Sequence, residues 1–191
     1  LATGCRHNKF GEECENNIFG NDCYFNVLMS MCVGNSFGND CYSNVLKDDC
    51  SGNIFGESCY DNEFGMSCMS NNLSYNSNDN KFGNWCNGNI FGYGAQSNTF
   101  EYNCSSNIFG DQATNNVFKQ NCSHNIVGNS FASNIFDGVC NKNTFGDNCT
   151  YNRLGNRCMN ITFGKSAYIE SNSIRVKIPS GSYRKMADNS F

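Results

Sequence analysis

Polar and apolar positions recur along this chain with a period of nine residues. An asparagine opens each unit and a large apolar residue follows two positions later, so that the unit reads N-x-F-G-x-x-C-x-x. The asparagines occur without an insertion at positions 8, 17, 26, 35, 44, 53, 62, 71, 80, 89, 98, 107, 116, 125, 134, 143 and 152. A fixed short period predicts a solenoid, in which added length adds coils to a linear core.

Substitutions within the repeat indicate that two units form one coil. Glycine follows the large apolar residue in every second unit except at Ser74, as at Gly20 and Gly38, whereas the units between them carry residues such as Met29 and Lys47. Cysteine is replaced in only one of the two classes of unit, at Ser77, Ala95, Ala113 and Phe131. The period of nine is odd, so a continuous strand would reverse its inward face in each repeat, and the chain must turn within each unit. We therefore predict a coil of eighteen residues with two non-equivalent halves.

The predicted fold is all-β, a parallel β-solenoid of the β-helix or β-roll type with about nine coils over residues 1–168. Each half should contain an extended N-x-F piece, a turn such as that at 20–22, and a second piece that begins at cysteine. Glycine would supply positive φ at the turn, and asparagine and aspartate tolerate it. Coils spaced by about 4.8 Å would give a rod of about 45 Å. The aromatic residues would form internal stacks, and the asparagines would form hydrogen-bonded ladders between coils.

Residues 169–191 lack the repeat. The stretch 173–178 alternates as a half-buried strand does, and 179–181 has the composition of a turn. Because the end of a solenoid exposes unpaired strand edges, we expect this segment to be a cap or the start of a following domain.

All fourteen cysteines lie in one column of the repeat. Disulfides across the core would require partners to be lost together, yet Cys86 and Cys104 are kept where Ser77 and Ala95 stand in the other half. A thiol-rich metal site is the second interpretation, but the paired C-x-x-C and histidine spacing of zinc sites is absent from the sequence. The third interpretation, free buried thiols that fill the interior, is favoured by the small replacements Ser and Ala.

Charge excludes some partners. The net charge of −4 and a pI near 5.1 leave no basic stripe, which argues against nucleic acid as a binding partner.

No apolar run approaches the length of about 20 residues that spans a bilayer, so membrane insertion is not expected. No motif for a cofactor is present, and we expect none.

The sequence offers no convincing catalytic group. His7 and His124 are the only histidines and are 117 residues apart, which places them several coils from each other. The carboxylate pairs at 12–13 and 48–49 fall at predicted turns, where acidic residues serve as solvated turn formers. We therefore expect a protein that is not an enzyme. The alternative, a polysaccharide-degrading β-helix enzyme, would require a cluster of carboxylates facing one lateral groove.

One outer column is a candidate binding surface. Tyr24, Tyr42 and Tyr60 each follow a cysteine at a spacing of eighteen residues, so they should stack as an outward aromatic strip. Such a strip could bind a surface glycan or host receptor, although exposed aromatic residues also serve simply to cover a sheet.

Two resemblances bear on function. In period alone the coil resembles the calcium-binding β-roll of RTX toxins, but the glycine-rich calcium signature is absent. Over residues 5–168 the run N-x-F-G-N-x-C-x-x-N, as in 35–44, resembles the nonapeptide arrays of gut Bacteroidetes and their phages, some of which are labelled as tail or fibre proteins. That resemblance implies a rigid structural or receptor-facing module, extracellular on a virion or cell surface, and it brings no catalytic residues. Fibres of this kind tend to assemble as homotrimers, which we expect here.

Overall fold

The computed structural model describes residues 3–155, 157–171, 176–177 and 183–185. In this part of the chain all regular structure is β-strand, and the 21 strands form two sheets. None of it forms a helix that could cross a bilayer. Every pairing between strands is parallel, with odd-numbered strands in one sheet and even-numbered strands in the other. The predicted parallel β-solenoid is confirmed.

The strands are short because the chain turns at both ends of each one. The first sheet contains β1 (Lys9–Phe10), β3 (Val27–Leu28), β5 (Val45–Leu46), β7 (Glu63–Phe64), β9 (Lys81–Phe82), β11 (Thr99–Phe100), β13 (Val117–Phe118), β15 (Ile135–Phe136), β17 (Asn152–Leu154), β19 (Tyr168–Ser171) and β21 (Tyr183–Lys185). The second contains β2 (Ile18–Phe19), β4 (Ser36–Phe37), β6 (Ile54–Phe55), β8 (Asn72–Leu73), β10 (Ile90–Phe91), β12 (Ile108–Phe109), β14 (Ile126–Val127), β16 (Thr144–Phe145), β18 (Ile161–Phe163) and β20 (Val176–Lys177).

The register between neighbouring strands fixes the coil at eighteen residues. Lys9 pairs with Val27 in the first sheet and Ile18 pairs with Ser36 in the second. The same offset continues as far as β18. The prediction from alternating glycine and cysteine is therefore confirmed, and the two classes of repeat occupy opposite sheets.

Each coil has four corners, twice the number of turns that the sequence suggested. In the coil that follows Ile18, left-handed φ angles occur at Asp22 (56°), Phe25 (54°), Met31 (60°) and Gly34 (69°). The expected turn before cysteine is present, and a second left-handed residue lies two positions after each cysteine. The cysteine thus sits on a short side between two corners.

Glycine after the aromatic residue has a different purpose from the one we expected. Gly92 and Gly110 do not have positive φ. A Cβ atom on Gly110 would lie 2.8 Å from the backbone carbonyl carbon of Gly92 in the coil below. The glycine column therefore permits close stacking of coils, while the left-handed conformation falls mainly on small polar residues such as Asp22 and Asp40.

The asparagines form two continuous ladders of buried amides. The Oδ1 atom of Asn89 accepts hydrogen bonds from the backbone N–H (2.9 Å) and the Nδ2 (3.1 Å) of Asn71 in the coil below. Its Nδ2 donates to the carbonyl of Cys68 (3.2 Å) and to Oδ1 of Asn107 (3.2 Å). This side-chain amide makes all four hydrogen bonds that it can make. Its complete burial therefore leaves none of its polar atoms unpaired.

Phenylalanine rings fill the space between the two sheets. Rings one coil apart are parallel, as for Phe64 and Phe82, whose centroids lie 4.3 Å apart. Rings from opposite sheets meet edge to face, as for Phe82 and Phe91 at 5.4 Å. Both arrangements are favourable for aromatic quadrupoles. The core is thus a herringbone column that runs along the rod.

One layer of the core exchanges the positions of its large and small residues. Val127 replaces the usual aromatic residue, and Phe131 replaces the usual cysteine of the same repeat. The Phe131 ring contacts Phe109 (5.8 Å) and Phe145 (6.0 Å), which are the residues one coil below and one coil above Val127. Phe131 therefore fills volume that Val127 leaves in the aromatic column.

The C-terminal segment continues both sheets. β19 pairs with β17, β20 pairs with β18, and β21 pairs with β19, all in parallel. The offset shortens to fifteen residues, as for Tyr168 and Tyr183. Of the predicted strand at 173–178, residues 176–177 form β20, and the predicted turn at 179–181 lies outside the described residues. Whether this segment is a cap or begins a further domain stays a prediction.

We expect Asn89→Ala to lower the free energy of unfolding by at least about 3 kcal/mol, because it leaves two buried donors of Asn71 and the Cys68 carbonyl without partners, at about 1–3 kcal/mol each. The midpoint of urea unfolding, followed by circular dichroism, measures the loss. Asn72→Ser is the control: this exposed neighbour takes the residue found at Ser36, and its effect should stay within about 0.5 kcal/mol. Equal losses for the two variants would contradict the ladder.

We expect Val127→Phe and Phe131→Cys to destabilise singly and to compensate each other. Phe131→Cys opens a cavity and should lower the free energy of unfolding by about 3 kcal/mol. Val127→Phe overpacks the layer and should lower it by about 1–3 kcal/mol. The double variant restores the repeat pattern and should unfold close to the parent in urea. Additive losses would show that the two side chains do not share volume.

Candidate functional site

The three tyrosines predicted to form an aromatic strip do stack on one another. The ring centroids of Tyr24 and Tyr42 lie 4.9 Å apart, and those of Tyr42 and Tyr60 lie 5.0 Å apart, with the planes 4° and 3° from parallel. Isolated bridges between the backbones of these residues hold them in register. The column continues as Asn78 and Gln96, so the strip (Tyr24, Tyr42 and Tyr60) covers three coils.

Stacking determines which parts of the tyrosine rings a ligand can contact. Parallel rings at this distance cover each other's faces, so the middle ring presents its edge and its hydroxyl to solvent. At the N-terminal end, Nη1 of Arg6 donates a hydrogen bond of 2.9 Å to the Tyr24 hydroxyl, and this contact raises the pKa of Arg6. His7 stacks on Phe25 (5.2 Å) beside Tyr24. The strip is therefore a row of phenol hydroxyls and ring edges; a role in binding stays a prediction.

The other titratable candidates are not brought together. His7 and His124 occupy left-handed corners in coils far apart along the chain. Asp48 and Asp49 are at a turn, where Oδ1 of Asp48 accepts a hydrogen bond of 2.8 Å from the Met66 backbone N–H. This bond has the same form as the one from the Asn39 N–H to Asn21 Oδ1 (3.0 Å). The acidic side chain at this turn thus takes the place of an asparagine that links neighbouring coils.

None of the fourteen cysteines, all of which the structure describes, forms a disulfide, and twelve of them are buried. Many donate a hydrogen bond to the carbonyl that follows the aromatic residue in the coil below, as Cys86 does to Gly65 and Cys104 does to Gly83, both at 3.1 Å. Sequence reasoning predicted a space-filling role and missed this bond. The available signal was Ser77, a replacement that keeps a donor; its hydroxyl bonds the carbonyl of Ser74 in its own coil at 3.1 Å.

Burial keeps the thiols of Cys32 and Cys149 protonated. It raises the pKa of Cys32 and Cys149 from the ordinary value of 9.0 to about 11. A protonated, buried thiol is a poor nucleophile and a poor metal ligand. Among the residues that the structure describes, no group of three or more His, Cys, Asp or Glu side chains is arranged to hold a metal ion.

Two further exposed aromatic residues were not identified as candidates from the sequence. Trp85, the only tryptophan of the chain, and Tyr102 lie at one corner of neighbouring coils, on the half opposite to the tyrosine strip. The backbone N–H of Trp85 donates to the Tyr102 carbonyl at 3.0 Å. The available signal was a bulky residue at Trp85, directly before cysteine, where small polar residues such as Asp22 and Ser67 are usual.

Comparison with known proteins adds no relative: no family model matches the chain, and neither a curated protein nor a solved structure matches it at a significant level. The assignment of the chain as a solenoid with asparagine ladders therefore rests on its sequence repeat and its fold alone.

We expect the contribution of Cys32 and Cys149 to stability to be constant below about pH 9 and to fall between about pH 9 and 11. In the unfolded chain these thiols lose their protons above the ordinary pKa of 9.0, whereas in the folded protein the pKa of Cys32 and Cys149 is about 11. Deprotonation therefore stabilises the unfolded state relative to the folded state as pH rises through this window. The urea midpoint measured against pH tests this dependence.

The double variant Cys32→Ala and Cys149→Ala is the control, since alanine already occupies the column of Cys149 at Ala95 and Ala113. Its midpoint should fall less steeply over the same window, while titration of tyrosine and lysine remains common to both proteins. An unchanged slope would show that these thiols are not the cause.

Proposed function

We propose that this protein is a non-enzymatic structural module, a rigid shaft that carries a receptor-facing or glycan-facing surface on a phage tail fibre or a cell-surface adhesin. The observation that carries the proposal is the continuous interior. Two amide ladders and a herringbone of aromatic rings run through the repeats, and no charged side chain of the described residues is buried among them. Such an interior resists bending and leaves the outer columns free to vary.

The outer columns of the two sheets support assembly through one face. In the second sheet the outward residue of each strand from β2 to β18 is uncharged, and five of these residues are isoleucines that are 41–69% exposed: Ile18, Ile54, Ile90, Ile108 and Ile126. The same column of the first sheet contains Lys9, Glu63, Lys81 and Arg153. An uncharged, apolar strip along one side of a rod suits contact with further copies of the same chain.

A polysaccharide-degrading activity has less support. The pairs at 12–13 and 48–49 lie at turns and Asp48 is used in a contact between coils, so neither pair forms a groove with opposed carboxylates. For this reason we propose that the protein is not an enzyme and that its role requires neither a cofactor nor a metal. The extracellular, virion or cell-surface location belongs to the same proposal.

We expect a mass of three chains in sedimentation equilibrium, with the uncharged face of the second sheet buried in the trimer. Ile90→Lys together with Ile108→Lys should shift the mass to that of a single chain, because a buried unpaired charge opposes association. Thr99→Lys together with Val117→Lys makes the matched change on the first sheet, and should leave the trimer intact.

A monomeric parent protein would contradict the assembly. The absence of catalysis is tested separately on polysaccharide substrates: release of reducing ends that disappears on substitution of a single carboxylate would overturn the non-enzymatic role.

A further inference from the structure

The corner at Trp85 and Tyr102 differs from the tyrosine strip in the availability of its ring faces. The Trp85 side chain is 49% exposed and that of Tyr102 is 44% exposed. Within the described part of the chain, neither ring forms a pair with another aromatic ring, whereas Tyr24, Tyr42 and Tyr60 cover one another. Open aromatic faces are the surfaces against which the C–H groups of a sugar ring pack.

Trp85 is also an unfavourable choice for its position. It has a left-handed φ of 59°, a conformation that bulky residues rarely adopt. One coil below and one coil above, Ser67 and Asn103 occupy the equivalent position with similar φ. The indole lies outside the buried core, so neither the turn nor the core accounts for it.

Uncharged polar groups surround the two rings. Asn103 follows Tyr102 and lies one coil above Trp85, and Gln120 lies one coil above Tyr102. No hydrogen bond within the described residues occupies either side-chain amide, so both are available to sugar hydroxyls. The nearby charges of Glu101 and Lys119 neutralise each other in an ion pair of 2.7 Å. The corner therefore combines open aromatic faces with free amides and no net charge.

Other exposed aromatic residues are less suitable. Tyr75 lies against the backbone of Gly92, where a Cβ atom would be 3.0 Å from the Tyr75 ring. The hydroxyl of Tyr93 is used in a hydrogen bond to Oε1 of Gln112. Neither position combines an open ring with a neighbouring tryptophan.

We propose that Trp85, Tyr102, Asn103 and Gln120 form a binding site for a neutral oligosaccharide, here called the Trp85 corner. The two rings pack against the apolar faces of sugar residues, and the amides of Asn103 and Gln120 bond their hydroxyl groups. The inference rests on the glycan-facing part of the proposed function and assigns it to a corner distinct from the tyrosine strip.

The only tryptophan makes the site directly observable. We would titrate the full chain with cellohexaose, maltohexaose, mannohexaose and N-acetylglucosamine hexamer while recording tryptophan emission. At least one of these neutral sugars should shift the emission to shorter wavelength and saturate, because a sugar ring removes water from the indole. Isothermal calorimetry with the same sugar gives the affinity of variants that lack the tryptophan.

The variants use residues that the solenoid already places at equivalent positions. Trp85→Ser takes the residue at Ser67, and Tyr102→Asn takes the residue at Asn84. Each should weaken binding by about tenfold or more, as loss of a stacking ring does. Trp85→Ser should also unfold at the same or a higher urea concentration than the parent, which separates binding from folding. Tyr75→Asn, which takes the residue at Asn39, removes an equally exposed ring elsewhere and should leave affinity unchanged.

The outcomes separate this inference from the broader proposal. If sugar binds with unchanged affinity to Trp85→Ser and Tyr102→Asn but is lost on changing Tyr24, Tyr42 and Tyr60 to threonine, the site is misplaced while the glycan-facing role stands. If none of the four sugars alters emission or heat at millimolar concentration, the Trp85 corner is not a glycan site; trimer formation would still support the shaft.

Discussion

The buried asparagine ladder is the constraint on which the rest of this structure depends. A side-chain amide excluded from water must find partners for two donors and two acceptor lone pairs. Asn89 finds all of them in the coils directly below and above. That solution works only when an identical amide stands at the same place in the neighbouring coil. The requirement explains why the asparagines keep their spacing without an insertion, and why parallel strands of only two residues suffice. Among the described residues the Nδ2 atom of Asn107 has no hydrogen-bond partner, so the ladder tolerates a weak step at this position.

The interior satisfies its remaining polar groups by equally local means. Thiols bond the carbonyls after the aromatic residues, and turn asparagines bond the N–H of the next coil. Glycine allows the coils to approach where any Cβ would collide. All of these contacts join one coil to its neighbour and none extends further along the rod. Specific recognition must therefore be built from outer columns and corners, where substitutions such as Trp85 alter no internal bond.

Much of the fold could be predicted from the sequence because the period translates directly into register. The spacing of Tyr24, Tyr42 and Tyr60 placed them in one stacked column, and alternation at Gly20 and Met29 gave the coil its two halves. Local conformation was harder to predict. The corner at Phe25 carries no turn residue, since the ladder and register impose its left-handed φ whatever the side chain. At 138–139 the left-handed residue is Gly138, since the β-branched Val139 disfavours that conformation. The exchange of Val127 and Phe131 and the covering of the tyrosine faces depend on packing between coils, which a single repeat does not contain.

The non-equivalence of the two half-coils also limits how the length of such a protein can change. Removal of eighteen residues deletes one coil and leaves every ladder, ring stack and glycine column in register, shortening the rod by about 4.8 Å. Removal of nine would place each later half in the opposite sheet, so that charged outer residues of the first sheet such as Arg153 would join the uncharged column of the second. Tandem duplication or loss within the array is thus tolerated in whole coils, and rods built on this plan should differ in length by discrete steps.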